Sequence, residues 1–171
     1  MKIKLNTIED ELAKAVAKAR TAISRKDGVK NQKISDEDDF EVEYVGMSGE
    51  LAVAKAMNVF PDLSIKSRSG GYDLTSAQGN RVEVKTTRYK SGKLVARTKA
   101  RAEDSDYYVL VTGNPPDMTI RGYIPTQDFL KEDNLGKLSD DAPEAYILPQ
   151  DALKEWTTPQ SKQEASTNKS S

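Results

Sequence analysis

Gly70-Gly71-Tyr72-Asp73-Leu74-Thr75, followed after Ser76-Ala77-Gln78-Gly79-Asn80 by Arg81-Val82-Glu83-Val84-Lys85-Thr86-Thr87, reads as a β-hairpin. The paired glycines open it as a turn, and both flanks then alternate apolar and polar residues. If Leu74 and Ser76 pair with Val84 and Val82, Thr75 faces Glu83 and Asp73 faces Lys85. Asp73, Glu83 and Lys85 then share one face, and Leu74 with Val84 takes the buried one. This arrangement requires a three-residue loop, Gln78-Gly79-Asn80, or an equivalent bulge, because a two-residue turn turns Asp73 to the opposite side. Asn80 tolerates the left-handed conformation such a loop uses.

Outward from the hairpin, Asp106-Tyr107-Tyr108-Val109-Leu110-Val111 is a continuous apolar run of strand length and reads as a central strand covered on both faces. Gly113-Asn114-Pro115-Pro116-Asp117 turns the chain, and Thr119-Ile120-Arg121-Gly122-Tyr123-Ile124 pairs beside the run. Thr126 then caps a short helix through Leu130. Tyr146-Ile147-Leu148 and a segment ending at Trp156 supply late apolar anchors, with Trp156 packing to close the core.

Upstream, Asn6 and Glu9 form a capping box for a helix over residues 7–26, with Ile8, Leu12, Val16, Ala19 and Ile23 at helical spacing. Residues 29–39 read as a surface loop, and the acids that follow to Glu43 continue it. A second helix starts at Ser48 as N-cap and runs to Met57, carrying Glu50 on the face of Val53, Ala54 and Met57. Glu50 either complements the helix N-terminus or serves a site. Leu63-Ser64-Ile65 reads as a short strand. The order predicts one α/β domain over residues 1–157, with its core at about 40–125 and a mixed central sheet flanked by helices. From residue 158 the polar composition predicts a disordered tail.

The 171 residues include no histidine and no cysteine, which excludes imidazole triads, disulfides and thiolate zinc sites. Catalysis by this chain has to use carboxylates, lysine or a metal held through oxygen. No apolar stretch has signal-peptide or membrane-spanning length, so the chain reads as soluble and unexported. The formal net charge of −1 conceals segregation: Arg81, Lys85, Arg88, Lys90, Lys93, Arg97, Lys99 and Arg101 are interrupted by the single acid Glu83. Such a stretch suits a polyanion backbone and carries no base-reading pattern.

The hairpin residues suit phosphodiester hydrolysis. Mg²⁺ takes oxygen ligands and is commonly held by one or two carboxylates plus substrate phosphates. Asp73 and Glu83 supply the carboxylates, the Val84 carbonyl a further oxygen, and Glu50 a reach toward a second metal or a metal-bound water. Lys85 then activates the attacking water or neutralises the phosphate. Thr86 joins Arg88, Lys90, Lys93, Arg97, Lys99 and Arg101 as a candidate phosphate contact.

Gly46-x-x-Gly49-Glu50 on a helix, Asp73 entering a strand, Glu83-Val84-Lys85-Thr86-Thr87 on the next and the Tyr107 to Val111 strand together resemble the PD-(D/E)XK nuclease superfamily, over residues 40–125. More narrowly, the chain resembles small nuclease-like proteins of bacteria and their phages. Tyr72 stands where the family's name has proline. The resemblance implies a restriction-endonuclease-like αβββαβ core, with a helix over the basic residues 91–103, and Mg²⁺-dependent hydrolysis of DNA, with Mn²⁺ as substitute. Asp73 and Glu83 become metal ligands, Lys85 the catalytic lysine and Glu50 the auxiliary acid. The expected compartment is the cytoplasm of a bacterial or phage-infected cell. The substrate stays open among duplex, branched and single-stranded DNA, and a homodimer is the usual device for cutting both strands. The alternative expectation is an inactive nuclease-fold module that binds DNA or protein.

Overall fold

The computed structural model describes residues 1–26, 38–65 and 71–157. The expected tail after 157, the Ser69-Gly70 part of the hairpin entry and most of the expected 29–39 loop lie outside the described residues. The elements run β1 (Lys2–Lys4), α1 (Thr7–Lys26), α2 (Asp39–Met57), β2 (Leu74–Thr75), β3 (Arg81–Thr87), β4 (Leu94–Arg97), β5 (Tyr107–Asn114), β6 (Asp117–Pro125), α3 (Thr126–Phe129), β7 (Leu135–Gly136) and β8 (Ala145–Leu148). Five strands form a mixed sheet in the order β1-β6-β5-β3-β2, in which β3 and β5 are parallel and the other neighbours antiparallel. A second sheet, β4-β8-β7, is antiparallel. The molecule is therefore mixed α/β, with a mixed sheet and flanking helices.

The apolar run of β5 is central because both of its faces are covered. Val109 and Val111 meet Val82, Val84, Met118, Ile120 and the α2 residues Ala52, Val53 and Ala54. Tyr108 and Leu110 turn the other way, against Leu94, Ala96, Ile124, Phe129 and Leu148. The opposed cores follow from the period-2 alternation of a strand. Trp156 packs on the first core, edge-on to Tyr123 with ring centroids 6.3 Å apart, as its sequence position suggests.

Helix α1 begins with the expected capping box: Asn6 Oδ1 accepts from the Glu9 amide at 2.9 Å, and Glu9 Oε2 accepts from the Asn6 amide at 2.7 Å. Its buried stripe differs from the expected one. Ile8 is 81% exposed, while Ala13, Val16 and Ala17 are buried, because the small alanines let α1 approach α2 closely. Helix α2 starts at Asp39 rather than Ser48, so the acids from Asp39 to Glu43 belong to its first turns, where they complement the helix dipole. Ser48 is mid-helix and donates its hydroxyl to the Tyr44 carbonyl one turn earlier, at 2.7 Å.

Three further expectations are corrected. Residues 63–65 form no strand; Arg20 takes the carbonyls of Asp62 and Ser64 at 3.2 Å, so a side chain supplies the partners a neighbouring strand would have given. Residues 91–103 form no helix. They contain β4, where Leu94 and Ala96 point inward at period 2 to pair with β8. The hairpin register is Leu74 opposite Val82 and Thr75 opposite Arg81, two residues from the expected one. The Ser76 amide donates to the Asn80 carbonyl at 2.8 Å, leaving residues 77–79 as the loop, and Gly79, at φ +84°, takes the left-handed position expected of Asn80. The loop remains odd in length and the faces keep their parity. Strand β1 has no counterpart in the sequence reading. Among the described residues no helix is long and apolar enough to cross a membrane.

Candidate active site

Strand β2 is only two residues long, and the Asp73 side chain completes what it leaves unpaired. The Asp73 amide donates to the Val82 carbonyl at 2.9 Å, and Asp73 Oδ2 accepts from the Val84 amide at 2.7 Å. The buried carboxylate thus lies at the edge of β3, where β2 ends. In a strand, the amide and carbonyl of one residue point to the same side, so the Val84 carbonyl faces the edge that Asp73 occupies. Continued by one step, the hairpin register sets Asp73 opposite Glu83.

Glu83 and Lys85 leave β3 on the face away from α2, since Val82 and Val84 pack against that helix. Lys85 Nζ donates to Glu83 Oε1 at 2.6 Å, with side-chain exposures of 38% and 15%. Tyr108, opposite Glu83 on β5, is pushed up to about 12, by burial first and then by the Glu83 carboxylate. The anionic face of β3 therefore has an apolar, low-dielectric neighbour, and charges there act at greater strength than on an open surface.

Glu50 lies elsewhere. It is buried on α2, against α1, where its carboxylate accepts from Arg20 Nη1 at 3.3–3.4 Å. Among the described residues no group of three carboxylates gathers closely enough to hold a metal ion. The Asp73 carboxylate lies at the β3 edge against the Val84 backbone, Glu83 and Lys85 pair on the face away from α2, and Glu50 is with neither. Thr86 also differs from expectation: its hydroxyl is buried on the α2 face, where a Cβ built on Gly49 would meet Oγ1 at 2.0 Å. It faces the helix and cannot contact a ligand beside Lys85.

The basic stretch is divided. Arg88 pairs with Glu41 at the start of α2. Arg101 pairs with Asp104 at 2.9 Å and Glu103 at 3.6 Å. Lys90, Lys93, Arg97 and Lys99 are exposed along the β3–β4 connection, β4 and the turn after it, and Tyr89 beside Lys90 is 71% exposed. Arg20 is the residue the sequence reading missed. Its signal was its place on the stripe of Ala13, Val16 and Ala17, where a cation needs a buried partner.

Comparison with protein-family models and with curated protein sequences finds no match.

Proposed function

We propose that the chain is a Mg²⁺-dependent deoxyribonuclease of the PD-(D/E)XK kind on a restriction-endonuclease-like core. The observation that carries this reading is the edge of β3, where the Asp73 carboxylate closes on the Val84 amide beside a Glu83–Lys85 ion pair. The donor set fits Mg²⁺: two carboxylates and a backbone carbonyl, all oxygen, with the remaining positions left to water and phosphate. Asp73, Glu83 and the Val84 carbonyl would hold the ion, and Mn²⁺ suits the same donors. Bound there, Mg²⁺ supplies charge neutralisation at the phosphate and a more acidic water.

The chain's own groups do the rest. The hydrogen bond donated by the Val84 amide fixes the Asp73 carboxylate, so it does not reorganise when a cation arrives. Lys85 holds a positive charge beside Glu83, where it orients a water for attack or compensates charge on the phosphate. Tyr108 and Leu110 limit water on the inner side of the strand. This reading does not require Glu50, whose charge is met by Arg20. The β2–β3 hairpin with β5 parallel to β3 supports the family core, while β4 replaces the helix the family places between those strands.

Incubation with linear, supercoiled, branched and single-stranded DNA in Mg²⁺ or Mn²⁺ tests the proposal. Cleavage of at least one substrate, abolished by chelation, is expected; a folded sample that cuts none overturns it. A second reading, an inactive module that binds DNA or protein, is favoured by the pairing of Glu50 with Arg20 on the helices, away from the Glu83–Lys85 pair. Calorimetry separates the two, since the module predicts DNA binding without uptake of either metal.

A further inference from the structure

The sheet face that carries Lys85 is divided into two halves. Toward the start of β5 it is apolar, and Tyr108, Leu110 and Ile124 there share a core with Leu94, Ala96 and Leu148 of the smaller sheet. Toward the end of β5 the residues in register are Thr87, Thr112, Thr119 and Lys2, one from each of β3, β5, β6 and β1. Thr112 follows Tyr108 and Leu110 at period 2 and shares their face. Residues paired across neighbouring strands point to the same side, so the four make one row across the sheet, about 5 Å per step. Lys85, two residues before Thr87, points to this face as well.

Arg121 reaches into the row. Its Nε donates to Thr112 Oγ1 at 2.6 Å. The β5–β6 register places Leu110 opposite Gly122 but Val111 opposite Ile120, so Arg121 is the extra residue of a bulge. Bulges re-aim side chains, and this one turns a guanidinium over a hydroxyl row. Arg121 is half-buried and bonded to a neutral group, and no carboxylate among the described residues pairs with it. The nearest acid outward along β6, Asp117, stands opposite Lys4. A partly desolvated guanidinium with no acid beside it favours an anion, and its planar fork matches two phosphate oxygens. Threonine hydroxyls and lysines are the other common phosphate contacts.

We propose that Arg121 and Lys2, with the partly exposed Thr87 and Thr119 of the same row, are the platform on which the DNA backbone lies as it approaches Lys85; Thr112, fully buried, positions the Arg121 guanidinium. Arg121 seats one phosphate and Lys2 another. The direction of the strand rests on the nuclease reading; the binding itself does not.

The test uses the full chain and labelled single-stranded and duplex DNA in EDTA, so that cleavage plays no part, with anisotropy read across a salt series. Arg121→Gln and Lys2→Gln are each expected to weaken binding and to lower the slope of log affinity against log salt by about 0.7 on single strands and about 0.9 on duplex. Lys14→Gln, on α1, is expected to change neither. Melting curves establish folding, and Lys2 is exposed, so its variant keeps the test open if Arg121→Gln misfolds. Arg121→Lys is expected to keep the slope and bind several-fold more weakly, because the fork is lost. An unchanged slope in both glutamine variants overturns the platform even if the wild type cuts DNA. A wild type that binds RNA alone, or no nucleic acid, also overturns it. Reduced slopes in a protein that never cuts keep the platform and remove the nuclease reading.

Discussion

Gly49 lies directly against Thr86: a Cβ added to the glycine would stand 2.0 Å from Thr86 Oγ1 and 3.0 Å from Thr86 Cβ. Helix α2 is thereby seated on β3 at the strand that carries the candidate site. Gly49→Ala is expected to push the helix away, costing about 1–3 kcal/mol or more and lowering the melting temperature by several degrees. Thr86→Ala removes the clashing hydroxyl and methyl, so the double variant recovers part of the loss in thermal melts. Full additivity of the two changes would contradict the contact.

Asp73 has a structural role and, in the proposed nuclease, a chemical one as metal ligand, and two substitutions separate them. Asp73→Ala strips the acceptor from the buried Val84 amide, a loss of about 1–3 kcal/mol, together with a metal ligand. Asp73→Asn keeps an acceptor oxygen and removes the charge. Denaturant titration is expected to find Asn near wild type and Ala destabilised, while calorimetry finds Mg²⁺ affinity lost in both.

Lys85 donates to Glu83 Oε1, so Lys85→Ala releases that oxygen. Metal affinity is expected to hold or rise while DNA cleavage disappears. A fall in Mg²⁺ affinity equal to that of Asp73→Ala would remove Lys85 from the role assigned to it.

Arg20 compensates the buried Glu50 and holds the carbonyls of Asp62 and Ser64. Arg20→Met is expected to destabilise the fold by roughly 3 kcal/mol, because it weakens the compensation of a buried charge. Pairing it with Glu50→Leu restores most of the stability. Cleavage measured at equal folded fraction should then stay near wild type, since neither residue reaches the edge of β3.

The alkaline limb of stability follows from two tyrosines. Tyr108 and Tyr44 are each pushed up to about 12 by burial, assisted by Glu83 at Tyr108 and by Asp10 at Tyr44. Above the ordinary phenol value of about 10 the unfolded chain releases these protons first, so stability is intact below pH ~10 and declines toward pH ~12. Tyr108→Phe should flatten that decline in urea titrations between these limits. An unaltered slope would show that the phenol does not titrate there.

The parts of this fold legible in the sequence were those with local signals. The Asn6–Glu9 capping box, the apolar run of β5 and the turn before β6 each declare themselves within a few residues. Taking Ser48 as the N-cap starts helix α2 ten residues late, since the N-cap is Asp38 and Ser48 and Gly49 are mid-helix, with Gly49 admitting Thr86. Strand β4 hid among Lys93, Arg97 and Lys99, with only Leu94 and Ala96 to show its inward face. The hairpin slipped by two residues because Val82 and Val84 are equivalent partners for Leu74 in hydrophobic pattern, and a two-residue slip leaves both faces unchanged. For the same reason Asp73 keeps the same parity relative to Glu83 and Lys85 in either register. The Arg20 pairing of Glu50 spans thirty residues and needed the helix packing to bring it about.

The odd loop at residues 77–79 also sets what changes in length the hairpin can absorb. A single inserted residue leaves two outcomes: Asp73 rotates off the Val84 amide, or a bulge forms elsewhere to restore it. Two inserted residues extend the loop with every contact on β3 preserved. Natural and engineered variation at this tip is therefore expected in steps of two, a pattern that any collection of functional insertion variants would display.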